Sequence, residues 1–333
     1  MKIAILAPVA WRTPPRHYGP WEQVASNVAE GLVAAGMDVT LFATQDSLTD
    51  GKLDAVIAKG YAEDLKVDAK SVECLHISNL MEKAGEFDLI HNHFDFLPLS
   101  YSRLINTPVL TTIHGFSSQK IISVYKKYNG SSHYVSISNS DRSPDLDYLA
   151  TVYNGLRISD FIFNPEPGNY LLFLGRIHPD KGTAEAIEIA RRSKKKLLIA
   201  GIIQDQAYFD EKVKPFLGDE IQFLGHAGPE MRNKLLGNAM ALLHPIHFNE
   251  PFGMSVAEAM LCGTPVIAFN KGSMPELIGH EKTGFLVNNV DEAVDFVPST
   301  SKLNRYSCNE WAASRFSQEK MAADYIRCYK TIC

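Results

Sequence analysis

Two carboxylates and two cations carry the chemistry this chain can offer. Glu250 and Glu258 stand eight positions apart in the run E-P-F-G-M-S-V-A-E-A-M, a little over two turns at about 3.6 residues per turn. A helix beginning near Pro251 and Phe252 holds Glu258 inside it and leaves Glu250 just ahead of its first turn. Backbone N–H groups without helical partners, which Gly253, Met254 and Ser255 can supply, favour a ligand bearing phosphate and hydroxyl groups. Glu258 can accept paired hydrogen bonds from vicinal hydroxyls, as acidic residues do for a ribose. Taken singly, each acid is an ordinary helix carboxylate, and taken as a pair they invite an acid/base reading. Upstream, G-R-I-H-P-D-K-G at 175–182 falls between a predicted strand and a predicted helix. Arg176 offers a planar fork of donors and Lys181 a point charge, both placed to converge on one anion. Two surface cations over backbone carbonyls would be the plainer arrangement, but a strand end flanked by Gly175 and Gly182 favours anion binding.

The elements that must position these groups can be read from the apolar pattern. Short apolar runs predict strands at 2–8, 38–43, 88–92, 109–114 and 133–138, with a helix at 21–35 stopped by Gly36. After Y-N-G at 153–155 a second series follows: strands at 170–175, 196–201, 221–225, 240–245 and 265–269, with helices at 183–192, 230–238 and 255–261. Strands alternating with helices imply parallel sheets covered on both faces. The expected class is α/β, with two doubly wound, Rossmann-like domains facing across a cleft and a linker near 156–169. Ligands of such sheets bind at the carboxyl ends of strands, where Arg176, Lys181 and His114 fall.

Composition narrows the partners. The 333 residues (37.0 kDa) are 45% hydrophobic and 21% charged, which fits a soluble chain of two moderate domains. A net charge of −5 and a pI near 6.1 argue against nucleic acid as a partner. The basic run Arg191, Arg192, Lys194, Lys195 and Lys196 reads as a solvated helix end, with loose contact to an anionic membrane surface as the other reading. The opening M-K-I-A-I-L-A-P-V-A lacks the form of a signal peptide, and no stretch reaches the roughly 20 apolar residues of a transmembrane helix. The five scattered cysteines, Cys74, Cys262, Cys308, Cys328 and Cys333, indicate neither a zinc site nor a disulfide framework, so reduced thiols in a cytoplasm are expected. His91 and His93 in H-N-H have the spacing of strand ligands, yet no third metal ligand is evident.

The order G-R-x₄-K-G, E-x₇-E with F-G and E-A-M, G-x-P-V-I-A, then P-E-L-I-x₄-T-G-F-L-V resembles the retaining glycosyltransferases of family 4 (glycosyl transferases group 1), in their bacterial form. The resemblance extends to Y-G-x-x-E (Tyr18, Gly19, Glu22) and to a closing helix with Phe316, Ser317, Met321 and Tyr325. It implies the GT-B fold: an acceptor-side domain over 1–155, completed by a C-terminal helix at 312–333, and a nucleotide-sugar-binding domain over 160–311. Arg176 and Lys181 would hold the donor diphosphate in place of a metal ion. Glu258 would bind the ribose, Glu250 the transferred sugar, and Gly253, Met254 and Ser255 sugar and phosphate through N–H groups. Gly175, Gly201 and the 225–227 loop would border the donor, and His114 would point at the donor sugar. Gly19 marks the loop that in the family approaches the phosphates through consecutive glycines. Here Pro20 follows, with no N–H to give, and then Trp21; Trp11, Tyr18 and Trp21 could instead stack on an acceptor.

The activity so implied is metal-independent transfer of a hexosyl group from a UDP- or GDP-linked sugar to a hydroxyl of a sugar, glycan or small molecule. No cofactor is expected beyond the donor substrate, and the chain is expected to be a monomer or homodimer. A nucleotide-sugar 2-epimerase of the same architecture, turning over donor without acceptor, and a non-catalytic sugar-nucleotide binding protein are the alternatives.

Overall fold

Apolar runs too short for helices and too continuous for exposed strands form two parallel sheets. The structure is a computed structural model and describes residues 1–64, 66–116 and 118–333. It divides into two compact units, Met1–Leu156 with Gln318–Cys333, and Arg157–Ser317.

The first unit holds β1 (Lys2–Leu6), β2 (Asp38–Phe42), β3 (Lys52–Asp54), β4 (Leu89–Asn92), β5 (Val109–Ile113), β6 (His133–Ser136) and β7 (Tyr148–Thr151). Their order is β3-β2-β1-β4-β5-β6-β7, all pairs parallel. β1 is buried from Ile3 to Leu6, the apolar run expected of a strand covered on both faces. The winding reverses between β1 and β4, and this is where a doubly wound sheet opens a crevice at its strand ends. Helix Pro20–Ala34 starts on a proline whose missing N–H costs nothing there, and it buries Val24, Val28 and Leu32. Gly31 lets helix Gln318–Ile332 approach: a Cβ there would already meet Ala322 Cβ and Gln318 Cγ at 3.1 Å. Gln318 fastens that last helix by donating from its backbone N to Leu156 O (2.9 Å) and from Nε2 to Asn27 O (2.8 Å).

The C-terminal segment differs from expectation. Instead of one helix at 312–333 there are two, Arg305–Phe316 and Gln318–Ile332, with Ser317 extended between them (φ −76, ψ 153). Only the second belongs to the first unit, because Arg305 ties the other to the second unit through Gly237 O and Ala239 O. The second unit accordingly runs over 157–317.

That unit contains β8 (Tyr170–Leu174), β9 (Lys196–Ala200), β10 (Ile221–Phe223), β11 (Ala239–His244), β12 (Val266–Phe269) and β13 (Gly284–Val287). The order is β10-β9-β8-β11-β12-β13, again all parallel, with the reversal between β8 and β11. Leu171, Phe173, Ile187, Leu197, Ile199, Leu243 and Ile267 form one side of its core, each such side chain stabilising by about 1.5–3 kcal/mol relative to exposure. β3 and β7 lie at the two edges of the first sheet, and their residues are half-buried or exposed rather than buried on both faces. Among the described residues, no helix is long and apolar enough to cross a membrane, and the five cysteines are free.

Candidate functional site

The loops that follow β8 and β11, one on each side of the winding reversal, bring most of the singled-out residues of the second unit together. After β8 the chain runs through Gly175 and Arg176 to Gly182, the left-handed N-cap (φ 73) of helix Thr183–Arg192. A Cβ on Gly182 would lie 1.9 Å from Pro245 O, so only glycine lets the two loops touch. His247 N donates to Asp180 O (2.8 Å) across the same contact. Lys181 Nζ thereby reaches Glu250 Oε1 at 2.7 Å, and it lies 4.8 Å from the Phe248 ring centroid. The other carboxylate oxygen, Glu250 Oε2, bonds His244 Nε2 at 3.0 Å. Burial pushes the Glu250 carboxyl up, but its interactions with His244 and Lys181 outweigh this and hold it at about 2. Glu250 is therefore a permanent anion, unsuited to donating a proton.

Gly253 (φ 89) caps helix Met254–Leu261, so that helix begins later than the Pro251–Phe252 start expected from sequence. Glu250 consequently sits in an extended loop, held by Ser273 N donating to its carbonyl (3.0 Å). The N–H groups of Met254 and Ser255 open the helix, where no intrahelical acceptor exists. Glu258 lies inside the helix and is buried, with Oε1 at 3.2 Å from Arg232 Nη1. Burial raises its pKa and Arg232 offsets only part of that. Among the described residues, Arg176 and Lys181 do not share a partner: Arg176 Nη1 bonds Gln204 Oε1, while Lys181 holds Glu250. Gly201 (φ 151) is needed for packing, since a Cβ would stand 1.8 Å from Gly175 O; Gly175 itself has room for one.

His114 and Gly19 belong to the first unit. His114 follows β5, is 8% exposed, and stacks on Trp21 (ring centroids 5.6 Å apart, 24° between planes). Burial pushes its pKa down to about 3, so it is neutral at physiological pH. One face of Trp21 is thus taken by His114, and Trp11 packs edge-on to Tyr18. Gly19 (φ 151) precedes Pro20, and a Cβ there would stand 2.9 Å from Glu22 Oε2. Glu22 is buried and accepts from Trp11 N (3.2 Å). His91 bonds Tyr329 and Thr112, both at 2.7 Å. Among the described residues, no group of three or more His, Cys, Asp or Glu is arranged to hold a metal ion.

The Glu22 carboxyl is pushed by burial from 4.5 to about 7, which ties stability to pH. A carboxyl pKa raised by folding means the folded state binds more protons between these values, so stability falls as pH rises from about 5 to about 8. The loss is on the order of 3 kcal/mol. Urea midpoints at the two pH values should therefore draw closer together in Glu22→Gln than in the parent; equal slopes in both proteins would refute this.

Comparison with known proteins adds what geometry alone does not. Residues 157–302 match the family model described as glycosyl transferases group 1. The chain carries a group 1 glycosyltransferase domain. That domain holds Arg176, Lys181, Glu250 and Glu258, and every partner described for them. An uncharacterised glycosyltransferase of Methanocaldococcus jannaschii is 24% identical, the alignment covering 99% of this chain and 98% of the relative. Sucrose-phosphate synthase of Thermosynechococcus elongatus has a TM-score of 0.79 at 19% identity, covering 100% of this chain and 99% of its own. Anabaena HepE, solved with UDP and glucose, has a TM-score of 0.76 at 19% identity, covering 99% of this chain and 100% of its own. The fold is GT-B, with one doubly wound parallel sheet in each unit. Sequence reasoning did not single out His244, Arg232 or Gln204 around the transferase domain's charged groups. His244 could have been found as the polar end of a predicted apolar strand; Arg232 and Gln204 carry no such signal.

Proposed function

We propose that the protein transfers a hexosyl group from a UDP- or GDP-linked sugar to a hydroxyl of a sugar, glycan or small-molecule acceptor, with retention and without a metal ion. The observation that carries this reading is the Lys181–Glu250–His244 cluster at the β8 and β11 strand ends of a group 1 transferase domain. In this reading Arg176 and Lys181 bind the donor diphosphate and stabilise the charge that develops as the sugar leaves. Glu250, a fixed anion, positions hydroxyls of the transferred sugar. Glu258, held by Arg232, binds the ribose hydroxyls, and the N–H groups at Gly253, Met254 and Ser255 bind phosphate and sugar oxygens. Gly175 and Gly201 border the donor, Gly19 starts the loop beside it, and His114 meets the donor sugar. The bond from the anomeric carbon to the diphosphate breaks, the acceptor oxygen bonds that carbon on the same face, and the acceptor proton passes to the departing phosphate oxygen. The HepE structure with UDP and glucose bound makes UDP-glucose the first donor to try. No further cofactor and no nucleic acid take part; the protein works in the cytoplasm as a monomer or homodimer, and any membrane contact is peripheral.

Incubation with UDP- and GDP-sugars, with and without acceptors, is expected to release nucleoside diphosphate in step with glycoside, at a rate unchanged by a chelator. Proton NMR of the product should show the donor's anomeric configuration. Equal turnover without acceptor would identify an epimerase or hydrolase instead, and tight binding without turnover a sugar-nucleotide binding protein.

A further inference from the structure

The first unit buries three imidazoles side by side at the ends of β4 and β5. His91 has both ring nitrogens bonded, to Tyr329 and to Thr112. His93 is fully buried and its ring centroid lies 4.1 Å from that of His91. Its Nδ1 bonds His114 Nε2 at 2.9 Å, while its Nε2 is buried with no partner among the described residues. Both rings of the His93–His114 pair are held neutral by burial, so each carries one proton and one lone pair. One ring must donate to the other, and the choice fixes both tautomers.

If His114 donated, His93 would carry its proton on Nε2, leaving a buried N–H without an acceptor. If His93 donates, the unpartnered atom is a bare lone pair, which native interiors tolerate better than an orphaned N–H. We infer that His93 is a positioning residue that locks His114 as the Nδ1–H tautomer. The free edge of His114 is then a hydrogen-bond donor, which matches an oxygen acceptor such as a sugar hydroxyl and cannot serve as a general base. Trp21, stacked on the ring, fixes the plane in which that donor points. The inference rests on the placement of His114 against substrate in the proposed function, and it adds the identity of the group presented.

Long-range proton–nitrogen NMR of ¹⁵N-histidine-labelled protein reads the tautomer directly. His114 is expected as Nδ1–H in the parent protein. Free imidazole side chains favour Nε2–H, so His93→Phe should release His114 to that form and lower kcat by about tenfold or more, with little change in donor KM. His93→Asn, whose amide can still donate to His114 Nε2, should recover the Nδ1–H signal and most of kcat. An Nε2–H signal for His114 in the parent, or an unchanged Nδ1–H signal in His93→Phe, would overturn the lock. A wild-type transfer rate in His114→Ala would overturn the placement of His114 against substrate, and the NMR assignment would be untouched by that result.

Discussion

Lys181→Ala is expected to lower kcat by about a thousandfold while the protein still folds cooperatively. The reason is the geometry around the amine. Lys181 Nζ lies 2.7 Å from Glu250 Oε1, and both side chains are nearly buried, at 12% and 14% exposure. A cation held there is oriented before substrate arrives, and oriented charge at a leaving group supplies about 2.7–4 kcal/mol of barrier lowering per donor. Glu250 keeps its hydrogen bond to His244 in the variant, so the remaining carboxylate is not stranded. Steady-state kinetics with a fixed donor, alongside circular dichroism melts, tests this. A variant within threefold of the parent would remove Lys181 from the chemistry. Combining the change with Glu250→Gln separates charge from position: if Glu250 only positions sugar, the double variant loses more activity than Lys181→Ala alone.

The largest loss of stability is expected from Arg305→Ala. This side chain is 6% exposed. Its guanidinium donates to Asn164 O (2.7 Å), Gly237 O (2.6 Å), Ala239 O (3.0 Å) and Thr264 Oγ1 (2.8 Å). Gly237 O keeps Asn164 Nδ2 as a donor and Thr264 Oγ1 keeps its bond to Leu236 O, but Asn164 O and Ala239 O lose the guanidinium, at about 1–3 kcal/mol for each one left unpaired. A total of about 2–4 kcal/mol follows once partial relaxation is allowed for. Because these oxygens belong to the second unit, denaturant unfolding should show that unit melting first. A loss below about 1 kcal/mol would mean that water or neighbouring groups replace the guanidinium.

Much of the architecture was open to reading from the chain because each element carries its own pattern. Helix Thr183–Arg192 was found to the residue, since Gly182 ahead of it and the basic Arg191–Arg192 end both mark its limits. The strand that ends at Leu174 and the one that ends at His244 were found through their apolar runs. The cations were legible as residue types at a strand end, and the carboxylates as residue types around a helix start. Their pairing was not. Lys181 and Glu250 are 69 residues apart, and what joins them is the fit of Gly182 against Pro245 O, a contact between backbones that leaves no trace in side-chain pattern. The same holds for Glu258 and Arg232, whose attraction arises only once a helix and a buried acid face each other. The edge strand Lys52–Asp54 escaped notice for the opposite reason: its three residues, K-L-D, are mostly exposed and show no apolar run at all.

The break at Ser317 also governs the order in which the molecule can be finished during synthesis. Residues 157–317 form one compact unit from a single stretch of chain, whereas the 1–156 unit also needs 318–333. A ribosome working from the amino end therefore completes the later unit first. Until then β4 and β5 lack Tyr325 and Tyr329, the hydroxyl partners of Thr112 and His91, and the surface that helix Gln318–Ile332 will cover stays open to solvent and chaperones. Domains made first usually fold first; here the part synthesised earliest is sealed last.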